Sequence, residues 1–306
     1  MKARYAWAAI GVIAVSLPLL TSGYVLYVCN LAMIFAVIAV GLNLLVGYGG
    51  QVSVGHAAFF GIGAYTSALL CVDRGWSFWA ALPAAALVSG LAGFLLGLPA
   101  LRLRGHYLIL VTLGFGEIVR VILQNWQAFT KGPTGIGGIP PVSVGNFAFV
   151  SEGRFFYLAL AFLVVAIAVA HRIAHSRSGR ELMSVRDNEV AAELVGVDTT
   201  RVKLFAFTLS AVFAGVAGSL YAHMSGFISP DMFTFEVSVA ALVMVMLGGP
   251  GTVFGPVAGA LVLTALPEML REFKELYLFF YGIGILLLAV FLPRGLAGLI
   301  PRGARR

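Results

Sequence analysis

The sequence predicts an all-α fold: a polytopic integral membrane protein with about ten transmembrane helices, some of them interrupted by glycine. Three observations carry that prediction. Of 306 residues, 60% are hydrophobic and only 11% are charged, with a mean hydropathy of +0.97; soluble domains carry about 25% charged residues. The apolar residues fall in long runs that are apolar on every face, unlike the alternation of a barrel strand. The polar segments between the runs are short, so a water-soluble globule would leave much of this apolar surface exposed and prone to association. These properties exclude a soluble enzyme, a disordered protein and a nucleic-acid binder. The net charge of +7 does not restore the last, because the arginines are not clustered with exposed aromatics.

A helix needs about 20 apolar residues to cross the hydrocarbon core, and a helix satisfies its own backbone there. The candidate spans, in order, are 5–21, 24–46, 57–72, 77–98, 106–126, 155–171, 203–223, 237–247, 253–270 and 276–292. The first follows Lys2 and Arg4. It lacks a clear small-x-small cleavage site and reads as an uncleaved first helix. The second and third contain Cys29 and Cys71, which form neither a disulfide framework nor a zinc spacing and read as buried thiols. Gly93 and Gly97, then Ala211, Gly215 and Ser219, then Gly255 and Gly259, repeat small residues at four-residue intervals. That spacing lets helices pack closely in lipid. The span 106–126 holds Glu117 and Arg120, which i, i+3 spacing places on one face. A charge at mid-bilayer costs at least roughly 2.5–3.5 kcal/mol on insertion scales, so the two read either as a structural ion pair facing the bundle or as part of a polar path. The run 237–247 has only 11 residues before Gly248. It reads as a half-helix or re-entrant segment, with 253–270 as its return.

Charge placement sets orientation, because cytoplasmic loops collect Lys and Arg. Of the 20 basic residues, 14 fall on one side: Lys2, Arg4, Arg102, Arg104, the six between Arg172 and Lys203, and the four from Arg294 onward. Five fall on the other side, and Arg120 lies within a span. Ten helices put both termini on the same side, so parity and charge agree on a cytoplasmic N-terminus and C-terminus. The whole chain, 1–306, reads as a single transmembrane domain. It carries a cytoplasmic loop at about 172–202 and an outer loop at about 127–154.

No catalytic chemistry is predicted. A phosphate-binding loop needs glycine before a lysine that precedes Ser or Thr, and Lys2, Lys131, Lys203 and Lys274 do not provide it. H-E-x-x-H, C-x-x-C and G-x-S-x-G are also missing. His56, His106, His171, His175 and His223 are dispersed, so neither a metal site nor a membrane enzyme is expected. If the chain works with ATP, other subunits must hold the nucleotide.

Three segments rise above this background. Between Gly47 and His56 lie four glycines, each about 1 kcal/mol worse than alanine in a helix. Broken helix at membrane depth survives only against protein or a wet cavity, and transporters place such segments along the substrate path. Gly49, Gly50, Gln51, Ser53 and His56 are therefore path candidates, with an ordinary interfacial loop as the alternative. Gly248 and Gly249 open a weaker echo in the second half and join the candidates with Glu117. The loop 172–202 predicts two short helices. One is capped by a Ser178–Glu181 box before Leu182; the other is capped by Asp187 or Asn188, runs through Val195 and stops at a positive-φ Gly196. Val190, Leu194 and Val197 share one side of the second helix. It is either a face for a soluble partner or a loop lying on head groups. The third segment, around Lys131–Pro141, is rich in Gly and Pro, which favour turns over regular structure. It is too apolar for a free linker and is expected to fold over the outer mouth.

Taken together these segments resemble the permeases of branched-chain amino acid ABC importers, the LivH/LivM family, and within it the LivM-type member of the pair. The likeness rests on Gly41 to Phe59 (GLNLLVGYGGQVSVGHAAF), Arg104 to Tyr107 (RGHY), Lys131 to Ile136 (KGPTGI), Arg186 to Gly196 (RDNEVAAELVG) and Leu247 to Thr252 (LGGPGT). The resemblance implies inverted repeats of helices in a bacterial inner membrane. It implies import of hydrophobic amino acids with a second homologous permease, two cytoplasmic ABC ATPases and a periplasmic binding protein. It implies no cofactor on this chain, with ATP and Mg used by the ATPases. Importer permeases often dock their ATPase through E-A-A-x-x-x-G. Ala191, Ala192 and Gly196 fit that spacing, whereas Val190 stands at the first position and Glu189 one place early. Arg186, Asp187, Asn188, Glu189, Ala191, Ala192, Glu193 and Gly196 are the candidate coupling residues. Permeases for urea and short amides resemble the same scaffold, and a secondary carrier or channel built around Glu117 is a further alternative.

Overall fold

The computed structural model describes residues 23–100, 106–145 and 147–269, with Pro18, Thr21, Gly282 and residues 295–299. The expected spans 5–21 and 276–292, and the side assignments of Arg102 and Arg104, lie outside the described residues. Each of the other eight spans coincides with a helix. In chain order these are α1 (Gly23–Asn43), α2 (His56–Arg74), α3 (Phe78–Ala100), α4 (His106–Asn125), α5 (Gln127–Thr130), α6 (Glu152–Ala174), α7 (Arg177–Asp187), α8 (Glu189–Leu194), α9 (Thr199–Ser225), α10 (Phe235–Gly248) and α11 (Gly255–Met269). The segments Gly23–Tyr48, Phe78–Ala100, Tyr107–Asn125, Glu152–Ala174, Thr199–Ser225 and Pro230–Gly248 are six helical stretches long and apolar enough to cross a membrane.

α1 and α9 form the centre. α1 is buried on all sides from Ala36 to Asn43, the signature of a helix enclosed by others rather than half-exposed. It packs on α6, α9 and α11, while α9 packs on α2 and α3. The small-residue intervals bring these helices together as expected. A Cβ added to Gly63 of α2 would enter the backbone of Gly215 in α9, and one on Gly93 of α3 would strike Ala211. Around these contacts Phe59, Phe60 and Phe207 are fully buried, with Phe59 edge-on to Phe207 at 5.9 Å.

α4 is the least covered of the six stretches. Tyr107, Leu110, Ile118, Val121 and Ile122 are exposed along it, and nothing lies within 4 Å of where a Cβ on Gly114 would sit.

Two expectations are revised. The 11-residue half-helix at 237–247 is the middle of α10, which has 14 residues. It begins at Phe235 because Glu236 sits in its first turn, where a carboxylate favours the positive end of the helix dipole. A turn through Gly249–Phe254 leads into α11, which packs against it. The loop 127–154 also contains regular structure despite its glycines and prolines. β1 (Ile136–Gly137) pairs antiparallel with β4 (Phe227–Ile228), and β2 (Ser143–Val144) pairs with β3 (Phe147–Ala148). Trp79 Nε1 donates to the Ser143 carbonyl at 2.8 Å, and His223 Nδ1 donates to the Pro140 carbonyl at 2.7 Å. The loop is thereby fastened to α3 and α9, at the end of the bundle opposite α7 and α8.

Candidate translocation path and coupling segment

The first glycine-rich segment is broken as expected, though later than its first glycine. α1 loosens into a π-helical turn at Leu44–Tyr48, a form found mostly at functional sites. Coil follows from Gly50, which takes φ +68°, a conformation that a Cβ disfavours. The coil is satisfied by side chains from distant helices. Val54 N–H donates to Thr112 Oγ1 of α4 (3.2 Å), and Ala57 N–H donates to Ser238 Oγ of α10 (2.8 Å).

Of the candidate path residues here, Gly50 is exposed, while Gly49, Gln51, Ser53 and His56 are buried. Ser53 and His56 are 0% and 1% exposed. Ser210 Oγ donates to the Phe207 carbonyl (3.1 Å), so His56 Nε2 is the donor in its 2.9 Å contact with Ser210; Ser53 Oγ lies 3.4 Å from Nδ1. These two side chains hold the start of α2 against α9. Gln51 differs, because among the described residues its buried Oε1 has no hydrogen-bond partner, which native structures rarely tolerate.

The second glycine-rich segment lies directly against the first. A Cβ on Gly47 would collide with Asn43 Oδ1 and Gly251 N, and one on Gly248 would collide with the Gly255 carbonyl. Asn43 clamps the turn with both ends of its amide. Gly251 N–H donates to Oδ1 at 2.9 Å, and Nδ2 donates to the Thr252 carbonyl at 2.8 Å. Gly49, Gly248 and Gly249 are buried, Gly49 beside Leu182 of α7 and Gly248 against Gly255. Asn43 was not among the candidates; an asparagine beside Gly41 in an apolar run was the available signal.

Glu117 lies on α4, half-buried beside its exposed face. Arg120 Nε donates to Glu117 Oε2 at 3.0 Å, and the side chains are 31% and 40% exposed, respectively.

The loop 172–202 folds into α7 and α8, with the cap of α7 shifted and that of α8 as expected. Ser176 caps α7, accepting from Gly179 N–H at 3.3 Å. The expected Ser178–Glu181 box does not form, because Glu181 Oε1 pairs with Arg177 Nε at 2.8 Å one turn back. Asn188 caps α8 by accepting from Ala191 N–H (3.0 Å), and Gly196 takes φ +86° after it. Leu182, Val185 and Ala192 are buried, while Glu189 Oε1 pairs with Lys203 Nζ at 2.6 Å and Glu193 Oε1 accepts from Thr199 Oγ1 at 2.9 Å. The loop is thus seated on α9. Its outer face presents Val190 (58% exposed), Leu194 (83%) and Val195 (78%); Val197 is half-buried and does not belong to that face. Asp187 turns sideways to Arg186, at 3.1 Å.

Among the described residues no group of three His, Cys, Asp or Glu side chains is placed to hold a metal ion. The family model described as branched-chain amino acid transport system / permease component matches residues 24–290. The chain belongs to this permease family. It is 40% identical to the high-affinity branched-chain amino acid transport system permease protein LivM of Salmonella typhimurium, over 97% of this chain and 75% of that protein. Identity to LivM of Escherichia coli is 39% over the same shares. LivH of Escherichia coli is 27% identical over 88% of this chain and 92% of its own length. No solved structure matches the chain. Both broken segments and the α7–α8 loop lie within the matched region, so the permease family's extent covers the whole candidate site.

Proposed function

We propose that this chain is one of two permease subunits of an ATP-driven importer for branched-chain amino acids. The observation that carries this reading is the likeness to LivM over 97% of the chain, beside a folded loop that turns three large apolar side chains outward. The relatives at 39–40% identity are named for branched-chain amino acid transport, which favours that substrate over urea or short amides. The chain performs no covalent chemistry. Two ABC ATPases bind ATP and Mg, a periplasmic binding protein delivers the amino acid, and a second homologous permease shares the path.

In this reading the chain is a single transmembrane domain of about ten spans in the bacterial inner membrane, with both termini in the cytoplasm. The concentration of 14 basic residues on one side supports the orientation. An inverted repeat is supported by the two glycine-broken turns meeting back to back, one from each half. The face formed by Val190, Leu194 and Val195 docks an ATPase, with Arg186, Asp187, Asn188, Glu189, Ala191, Ala192, Glu193 and Gly196 shaping its support. Glu117 and Arg120 belong on the path or at the second permease, because intramembrane charges face protein or water rather than lipid. Gln51, with its unpartnered oxygen, is the strongest path candidate in the first broken segment. Gly49, Gly50, Gly248 and Gly249 let the backbone turn there, while Ser53 and His56 frame it.

Copurification with the second permease and the ATPases, followed by ATP hydrolysis assays with loaded binding protein, tests the reading. Leucine, isoleucine or valine is expected to stimulate hydrolysis. Stimulation by urea or acetamide and not by these would reassign the substrate.

A further inference from the structure

Arg186 sits in the last turn of α7, within the segment proposed to meet an ATPase, but its guanidinium turns the other way. Nη1 donates to the Gly47 carbonyl at 2.8 Å, across 139 residues of sequence. That carbonyl belongs to the π-helical end of α1, where the next amides go elsewhere: Gly50 N–H bonds Val46 and Gln51 N–H bonds Leu45. Carbonyls at a helix C-terminus need an outside donor, and a cation there also meets the negative end of the dipole. Arg186 therefore caps α1 from a different segment. Its stem lies against Gly50, where a Cβ would come within 2.7 Å of Arg186 Cγ, and its Nη1 lies beside Gly251, where a Cβ would come within 3.1 Å. Asn43 ties Gly251 and Thr252 to α1 from the other side. Residues 295–299 join the same node, since a Cβ on Gly295 would strike Gly249. Asp187 Oδ1 accepts from both Nε and Nη2 of Arg186 at 3.1 Å, which orients the fork.

We propose that Arg186 is the positioning residue that couples α7 and α8 to both glycine-broken segments, so that displacement of the docking segment by an ATPase moves the inner end of the path. Charge and planar shape suit the task. A guanidinium holds one carbonyl while its other nitrogens stay tied to Asp187, whereas an ammonium offers a single point contact. The side chain is 38% exposed, so the contact lies at the edge of the packed core, where a relative shift of α7 and α1 costs less than inside it. The inference rests on the permease reading given above.

The test uses the complete reconstituted transporter and reads amino acid moved per ATP hydrolysed. For Arg186→Ala the ratio is expected to fall about tenfold, within the usual range for coupling between two sites. The ATPases should still copurify, because the docking face is on α8, which stays seated on α9 through Glu189–Lys203 and Glu193–Thr199 without Arg186. Arg186→Lys is expected to recover part of the ratio by restoring a donor to Gly47. A wild-type ratio in Arg186→Ala overturns the proposal. So does loss of ATPase copurification in both variants, which would make Arg186 a docking or folding residue. If the wild-type complex shows no ATP-dependent transport, the permease reading fails first, and the two failures are thereby distinguished.

Discussion

Asn43 decides whether the two broken segments stay together. Its amide supplies one acceptor and one donor to backbone groups 208 and 209 positions further along the chain. Asn43→Leu keeps volume but leaves the Gly251 N–H and Thr252 carbonyl without partners, at about 1–3 kcal/mol for each group left buried. A clear drop in the thermal midpoint of the detergent-purified protein is the expected outcome; an unchanged midpoint would mean that water replaces the amide at no cost. Gln51 predicts the opposite separation. Its Oε1 has no partner to lose, so Gln51→Leu is expected to leave the midpoint unchanged or raise it, while lowering uptake. Full uptake by Gln51→Leu would remove this residue from the path.

At the scale of elements, apolar runs located eight helices, because the period and length of a run depend only on nearby residues. Broken backbone around Gly50 and Gly249 was legible for the same reason, since glycine acts locally. What surrounds each candidate was not legible. His56 reads as a path candidate from its own segment, and nothing near it in sequence points to Ser210 of α9, 2.9 Å from its Nε2. Sequence spacing alone cannot announce a neighbour 154 residues away. The Ser178 cap failed on a closer competition: Arg177 pairs with Glu181, and the helix begins two residues earlier, capped by Ser176. The α8 face was legible in kind but not in membership, since Val197 folds inward and Val195 outward. Leu194 is the most exposed residue on that face, at 83%, and makes the element's prediction. Leu194→Glu is expected to leave folding intact, because nothing covers the side chain, and to reduce copurification of the ATPases severalfold. Copurification at the wild-type level would move the docking face elsewhere.

For the whole molecule, the described helices form a tight bundle of α1, α2, α3 and α9, joined by glycine and alanine contacts. α4 lies at its margin. Rigidity at the centre is written in Gly63 and Gly215, whose backbones touch. Gly63→Leu is expected to cost about 1–3 kcal/mol through overpacking, seen as a lowered thermal midpoint; an unchanged midpoint would mean that α2 and α9 separate freely. Against that centre the two broken turns are clamped by Asn43, and the α7–α8 segment leaves its outer apolar face exposed. Such a division suits a subunit that is driven from one end and opens a path along another face. The central claim is that ATP hydrolysed by partner subunits drives accumulation through this chain. Leucine uptake into proteoliposomes containing the full complex, with wild-type or hydrolysis-dead ATPases, tests it most directly. Accumulation against a gradient only with active ATPases is the predicted result, and equal accumulation with the dead enzymes would contradict it.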